Sequence, residues 1–132
     1  MAAAANGAGL PERVMGGTLR GGQSRTAWIY LSNVLRALAL PHRSARDLGR
    51  SQQEQVARAL GRVIAHEIVH AVAPDLPHSR AGLMAHTIDR GLLLQARVAL
   101  APAEQRALRA GVAAFLAPPA AAGEAVARAA WW

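Results

Sequence analysis

One segment constrains the fold of this chain more than any other, because residues 51–74 combine a helix-start signal, a helical apolar repeat and a helix stop. Ser51, with Glu54 three residues later, is typical of a capping box, in which each side chain accepts a backbone N–H of the first turn. Apolar residues then recur at helical spacing until Pro74 ends the pattern. We therefore predict one long capped helix in a chain of 132 residues, which has room for a single domain.

Shorter elements are expected on both sides of this helix, as judged from β-branched and aromatic runs and from capping residues. They are a strand over 13–19, a strand over 26–31, a helix over 34–40 capped by Ser32 and Asn33, a helix over 87–94 and a helix over 103–116. The chain has one Phe and one Tyr, so its core must be built from Leu, Val, Ile and Ala, which suits closely packed helices. The predicted fold class is therefore α+β and helix-dominated, with a short sheet packed on the capped helix.

The chain is predicted to have three parts. A flexible Gly/Ala-rich lead-in is expected over 1–25, the domain over 26–117, and a low-complexity Ala/Pro tail over 118–132. No apolar run is long enough to span a bilayer and no signal peptide is visible. The default expectation is a cytoplasmic protein, unless the N-terminus is incomplete.

Charge and cysteine content exclude several kinds of function. The formal net charge of +7 comes from Arg without any Lys, and the arginines are scattered without interleaved aromatic residues. This is not the pattern of a nucleic-acid binder, so we do not expect a nucleic-acid partner. The chain has no Cys, so disulfides and thiolate metal sites are excluded, and any metal must be held by His and carboxylates.

The C-terminal part of the long helix carries the sequence His66-Glu67-Ile68-Val69-His70. Residues four apart lie on one face of a helix, so His66 and His70 can bind one ion together. Glu67 is rotated by about 100° from His66, which places its carboxylate beside the metal rather than among the atoms that bind it. These residue types at this spacing indicate a zinc site in which Glu67 is the general base for an attacking water.

A catalytic zinc ion normally has three protein ligands, so a third must come from elsewhere in the chain. His78 is the first choice, because imidazole suits zinc and Pro74 and Pro77 turn the chain back after the helix. Asp75 is the alternative on the same loop. More distant candidates are His86, Asp89 and Glu104.

With His78 followed by Gly82-Leu83-Met84, this stretch resembles the active-site region of metzincin metallopeptidases, particularly the matrixin-like members. It is also similar to small bacterial proteins of unassigned role that end in His-Ser-x-x-Gly-Leu-Met. The resemblance implies a zincin-like domain that hydrolyses a peptide or protein substrate with Zn2+. The residue roles that it implies are zinc ligation by His66, His70 and His78, general base catalysis by Glu67, and a Met-turn at Met84.

The resemblance covers about residues 62–94 and departs from the family pattern at two positions. Ala73 stands at the family's Gly position, and Leu76 stands at its third-His position, with His78 two residues later. It also implies an edge strand that pairs with substrate beside the active-site helix, for which 28–31 is the candidate. Tyr30, Arg80 and His86 are candidates for stabilising the oxyanion.

The expected function is therefore zinc-dependent peptide-bond hydrolysis. Two alternatives remain from the residues alone. One is a non-catalytic interaction module that is either zinc-stabilised or metal-free, and the other is an Arg-rich protein associated with nucleic acid. Met84 has an alternative as well, since methionine commonly fills gaps in a hydrophobic core.

Overall fold

The computed structural model describes residues 14–18, 26–40 and 44–117. The elements in these ranges are β1 (Gly16–Thr18), β2 (Ala27–Ile29), α1 (Leu31–Ala37), a 3-10 turn (Ala45–Asp47), α2 (Arg50–Val72), α3 (Arg90–Leu94) and α4 (Pro102–Leu116). The strands form an antiparallel two-stranded sheet in which Gly17 lies opposite Trp28. Both strands and the other three helices contact α2, so the predicted helix-dominated α+β class is confirmed.

The described ranges cover only part of the expected terminal segments. The tail predicted over 118–132 lies outside them, as do residues 1–13 and 19–25 of the predicted lead-in. Residues 14–18 of that lead-in are part of the folded domain, because β1 pairs with β2 and packs on α2. None of the helices within the described ranges combines the length and the apolarity that crossing a membrane requires.

The hydrophobic core lies on one face of α2. Ala59 and Val63 of α2 are buried against side chains from the sheet, α1 and α3. The other fully or nearly buried members of this cluster are Met15, Val34, Leu38 and Leu93. Small and medium aliphatic side chains allow these short elements to approach the helix closely, as the composition indicated. The core thereby fixes β1 and α3 relative to the C-terminal half of α2.

The start of α2 differs from the prediction. The helix begins at Arg50 with Gly49 as N-cap, so the capping box assigned to Ser51 and Glu54 is wrong. The side-chain oxygen Oε1 of Gln52 instead accepts the Gly49 N–H at 3.1 Å. Glu54 pairs with Arg50, four residues before it on the exposed face, at 3.3 Å. Gly49 in an extended conformation lets the helix begin two residues earlier than a Ser51 cap would.

The start of α1 was also predicted wrongly. The helix runs over Leu31–Ala37 rather than 34–40, and the strand expected to reach residue 31 ends at Ile29. Asn33 does not cap the helix, because its side-chain amide donates to the Val14 carbonyl at 2.6 Å. A tertiary contact with the chain before β1 thus replaces the local cap.

Local caps determine where α3 and α4 begin, and arginines of α2 donate to carbonyls at the end of α3. The helix predicted over 87–94 begins only at Arg90, because the Asp89 carboxylate caps it by accepting the Leu92 N–H at 2.8 Å. At its other end, the Arg62 guanidinium donates to the Leu92 carbonyl at 2.5 Å and also to the Gln95 carbonyl. Burial, and secondarily the neighbouring Arg58, lower the pKa of Arg62. Helix α4 spans Pro102–Leu116, close to the predicted range.

Candidate metal centre

Three histidine rings converge beside the C-terminal end of α2. The Nε2 atoms of His66 and His70 lie 3.1 Å apart, as expected for residues on successive turns of one helix face. His78 reaches the same point from the loop after Pro74, with its Nε2 at 3.2 Å from that of His66 and 3.0 Å from that of His70. The three residues lie close enough together to hold one metal ion. Among the described residues, they form the one group of three or more His, Asp or Glu side chains with this property.

A backbone carbonyl determines which ring nitrogen of His66 carries the proton. His66 Nδ1 lies 2.8 Å from the Leu83 carbonyl oxygen. A carbonyl can only accept, so Nδ1 carries the proton and donates it. In the neutral ring, Nε2 then presents a lone pair toward the other two imidazoles. A hydrogen bond from one ring nitrogen to a backbone carbonyl is the arrangement that orients metal-ligating histidines and leaves the other nitrogen to bind the metal.

A tight turn positions that carbonyl. The Ala85 N–H bonds to the Gly82 carbonyl at 3.3 Å, and the Leu83 N–H bonds to the Ala99 carbonyl at 3.1 Å. Gly82 has a φ of 81°, and a Cβ there would lie 2.7 Å from the Ala99 oxygen, so the turn requires glycine. Met84 is fully buried in this turn and is not a member of the α2 core cluster. The Gly-Leu-Met sequence therefore forms a turn that contacts the histidine site through Leu83.

The other candidate ligands lie elsewhere. Asp75 is exposed and is not in the histidine group. Asp89 caps α3, and Glu104 caps α4 by accepting the Ala101 N–H at 2.7 Å. His86 is nearest, with its ring edge-on to His78 at a centroid distance of 5.7 Å. Two carboxylate candidates thus have structural roles as caps, and His86 lies beside the cluster rather than in it.

Glu67 is held in place by β1, a contact that the sequence did not reveal. Its side chain is only 6% exposed, and Oε2 accepts the Thr18 hydroxyl at 2.7 Å. Gly16, on the same face of the strand, lies so close that a Cβ would be 2.8 Å from both Cγ and Oε1 of Glu67. Successive strand residues alternate between faces, so Gly16 and Thr18 act together as a cradle for the carboxylate. The spacing Gly-x-Thr places both residues on one face of the predicted strand, but it does not identify Glu67 as their partner.

The three histidines and Glu67 line one open cavity of about 330 Å³. Its other wall is formed by residues 14–18, and His86 and Ile88 also contribute. The strand that borders the site is therefore β1 and not 28–31, which lies on the far side of the two-stranded sheet. Of the three candidates for stabilising an oxyanion, His86 lines this cavity, whereas Tyr30 and Arg80 do not.

Two neighbouring glycines provide a test of the cradle. Gly16→Ala places a methyl group against the Glu67 carboxylate, whereas a Cβ at Gly17 meets no atom within 4 Å. We expect Gly16→Ala to lower the free energy of unfolding by about 1–3 kcal/mol, the usual cost of an extra group forced into a closely packed site. Gly17→Ala is the matched control and should change the free energy of unfolding by less than about 1 kcal/mol. Equal values for the two variants in denaturant unfolding would contradict the cradle.

A comparison of the chain with protein-family models, curated proteins and solved structures finds no match. The function is therefore inferred from the residues of the histidine site.

Proposed function

We propose that this protein is a zinc-dependent peptidase in which His66, His70 and His78 hold the metal and Glu67 is the general base. The observation that carries the proposal is the convergence of three imidazole Nε2 atoms, 3.0–3.2 Å apart, in the cavity that Glu67 also lines. The resemblance to metzincin metallopeptidases points to the same chemistry, with Met84 in the role of the Met-turn residue.

The donor set supports zinc as the metal. Two nitrogen ligands on a tetrahedral zinc ion, with bonds of about 2.0–2.1 Å, are separated by about 3.3 Å. The three observed separations are within a few tenths of an ångström of that value. Imidazoles without thiolates or carboxylates suit zinc better than magnesium or calcium, which prefer oxygen. Lone pairs held this close repel one another unless a proton or a cation lies between them.

The residues around the site support catalysis rather than a purely structural metal. Structural zinc sites usually have four protein ligands, whereas three converge here within the described part of the chain. The third, His78, is exposed, so the site faces solvent on the side of the open cavity. When bound, zinc would polarise a substrate carbonyl and lower the pKa of a water molecule in its open position.

Glu67 then has a defined task. Thr18 holds Oε2 through its hydroxyl, which leaves Oε1 to accept the proton of the attacking water. The close approach of Gly16 and the hydrogen bond from Thr18 hold the carboxylate in position. The same carboxylic acid can afterwards deliver that proton to the amine that leaves, so the base is regenerated in each turnover.

A second candidate function is a zinc-stabilised interaction module without catalysis. It is favoured by the way the three histidines join α2 to the loop that follows it, since a metal there would fasten two segments together. In that case the protein would bind zinc without hydrolysing peptides. A metal-free module would bind none.

Metal removal tests the proposal directly. The full chain, purified without added metal, should contain about one zinc per molecule by elemental analysis. It should also cleave a quenched fluorescent peptide library. Dialysis against a zinc chelator should abolish cleavage, and a stoichiometric addition of zinc should restore it.

The outcomes separate the candidates. A full complement of zinc without cleavage of any library pool would support the interaction module and contradict the peptidase. A protein that neither retains nor takes up zinc would contradict both.

A further inference from the structure

A second cavity, of about 680 Å³, adjoins the metal-site cavity. The two share part of their walls, formed by Val14, Met15, His86 and Ile88. Both volumes fall in the range of about 300–1,000 Å³ that is typical of ligand pockets. The second cavity therefore lies directly beside the histidine site.

The two cavities differ in charge. No arginine lines the metal-site cavity within the described residues, whereas the second cavity is lined by Arg36 of α1 and Arg90, the first residue of α3. Among the described residues that line it there is one carboxylate, Asp89, which caps α3 through the Leu92 N–H. The described lining of the second cavity therefore has two arginines from separate elements and one carboxylate, an excess of positive charge that suits an anionic group. Guanidinium groups bind carboxylates through paired hydrogen bonds of matching geometry.

The walls that position these groups are themselves fixed. Asn33 lines the second cavity and donates to the Val14 carbonyl, so α1 is fastened to the chain that both cavities share. Asp89 holds the start of α3 where Arg90 lies. Both arginines lie on helices that contact α2.

We infer that the second cavity is a substrate subsite that binds the carboxylate of an acidic residue flanking the scissile bond. The inference rests on the proposed peptidase function, since that function makes the occupant of the neighbouring cavity a peptide. The enzyme would accordingly select peptides with Glu or Asp at one position relative to the bond that it cleaves.

The test measures binding apart from turnover. The zinc-loaded Glu67→Gln protein is titrated into two pools of short fluorescent peptides. Each peptide in the first pool has Glu at one position, and its counterpart in the second pool has Gln at that position. The position is varied along the peptide. We expect the Glu pool to bind about tenfold more tightly, which is the effect of one charge-assisted contact. Adding Arg36→Gln and Arg90→Gln should reduce this preference to about twofold or less.

Arg106→Gln with Arg109→Gln is the matched control, because it removes the same charge from exposed positions on α4 that line neither cavity. The control should keep the tenfold preference. An equal loss in both double variants would show that net charge attracts the peptide and would overturn the subsite. Where the cavity double variant does not fold, Arg90→Gln alone, at an exposed side chain, should reduce the preference at least threefold.

The outcome also separates the subsite from the proposed function. Wild-type protein that cleaves Gln and Glu peptides equally fast would overturn the subsite and leave the peptidase intact. Tight binding of the Glu pool that depends on Arg36 and Arg90, without cleavage by wild type, would support a carboxylate-binding site in the second cavity and overturn the peptidase.

Discussion

Replacing Glu67 with Gln is expected to lower the rate of peptide hydrolysis by about 100- to 10,000-fold, the usual contribution of a positioned general base. Gln has the same size and can still accept the Thr18 hydroxyl, which now contacts Oε2 of Glu67 at 2.7 Å. It cannot take a proton from water at neutral pH. The loss should therefore appear in kcat, with little change in KM, in assays on a quenched fluorescent peptide.

The same variant should keep its metal. The carboxylate of Glu67 is not among the three converging ligands, so zinc content should equal that of wild type by elemental analysis. The control is Glu54→Gln, the same substitution at an exposed position of the same helix, which should leave turnover unchanged. Wild-type rates in the Glu67 variant would exclude this residue as the base, whatever the metal content.

Replacing His78 with Ala is expected to weaken zinc binding by more than about 100-fold. Loss of a group that only orients a ligand costs about 10- to 100-fold, and His78 is proposed as a ligand itself. Zinc at 1,000 times its dissociation constant stabilises a folded protein by about 4 kcal/mol, and most of that gain should disappear in the variant. Competition with a chromogenic chelator measures the affinity, and thermal unfolding with and without zinc measures the stabilisation.

Asp75→Ala is the matched control for this experiment. Asp75 lies on the same loop and was the alternative third ligand, but its side chain is exposed and outside the histidine group. Its removal should change zinc affinity by less than about twofold. A larger loss for Asp75→Ala than for His78→Ala would reverse the assignment of the third ligand.

The elements of the site that lie within one helix were predictable from sequence. His66, Glu67 and His70 need only helical periodicity to be placed on neighbouring parts of one face. His78 required in addition that the prolines return the loop toward the helix, and the structure places its ring there. The contact between Glu67 and Thr18 spans 49 positions and depends on how the strand packs, so no local pattern could reveal it.

Helix boundaries were wrong where polar side chains have long-range partners or where another cap was available. Ser32 and Asn33 have the chemistry of an N-cap, yet Asn33 bonds to the chain before β1 and α1 begins earlier. The helix predicted from residue 87 begins after Asp89, whose carboxylate is a better cap than the residues before it. Predictions from periodicity and composition held for the long helix and for the fold class, because these depend on many residues together.

The cradle around Glu67 has a consequence for how the small sheet finds its pairing. Strands of three residues carry few hydrogen bonds, and such short pairings are prone to slip. A slip by one residue would bring either Met15 or Gly17 over the Glu67 carboxylate. The first has a side chain where there is no room even for a methyl group, and the second turns the Thr18 hydroxyl to the opposite face. The Glu67 carboxylate, which is proposed to carry out catalysis, thus also disfavours a shifted pairing of the two strands.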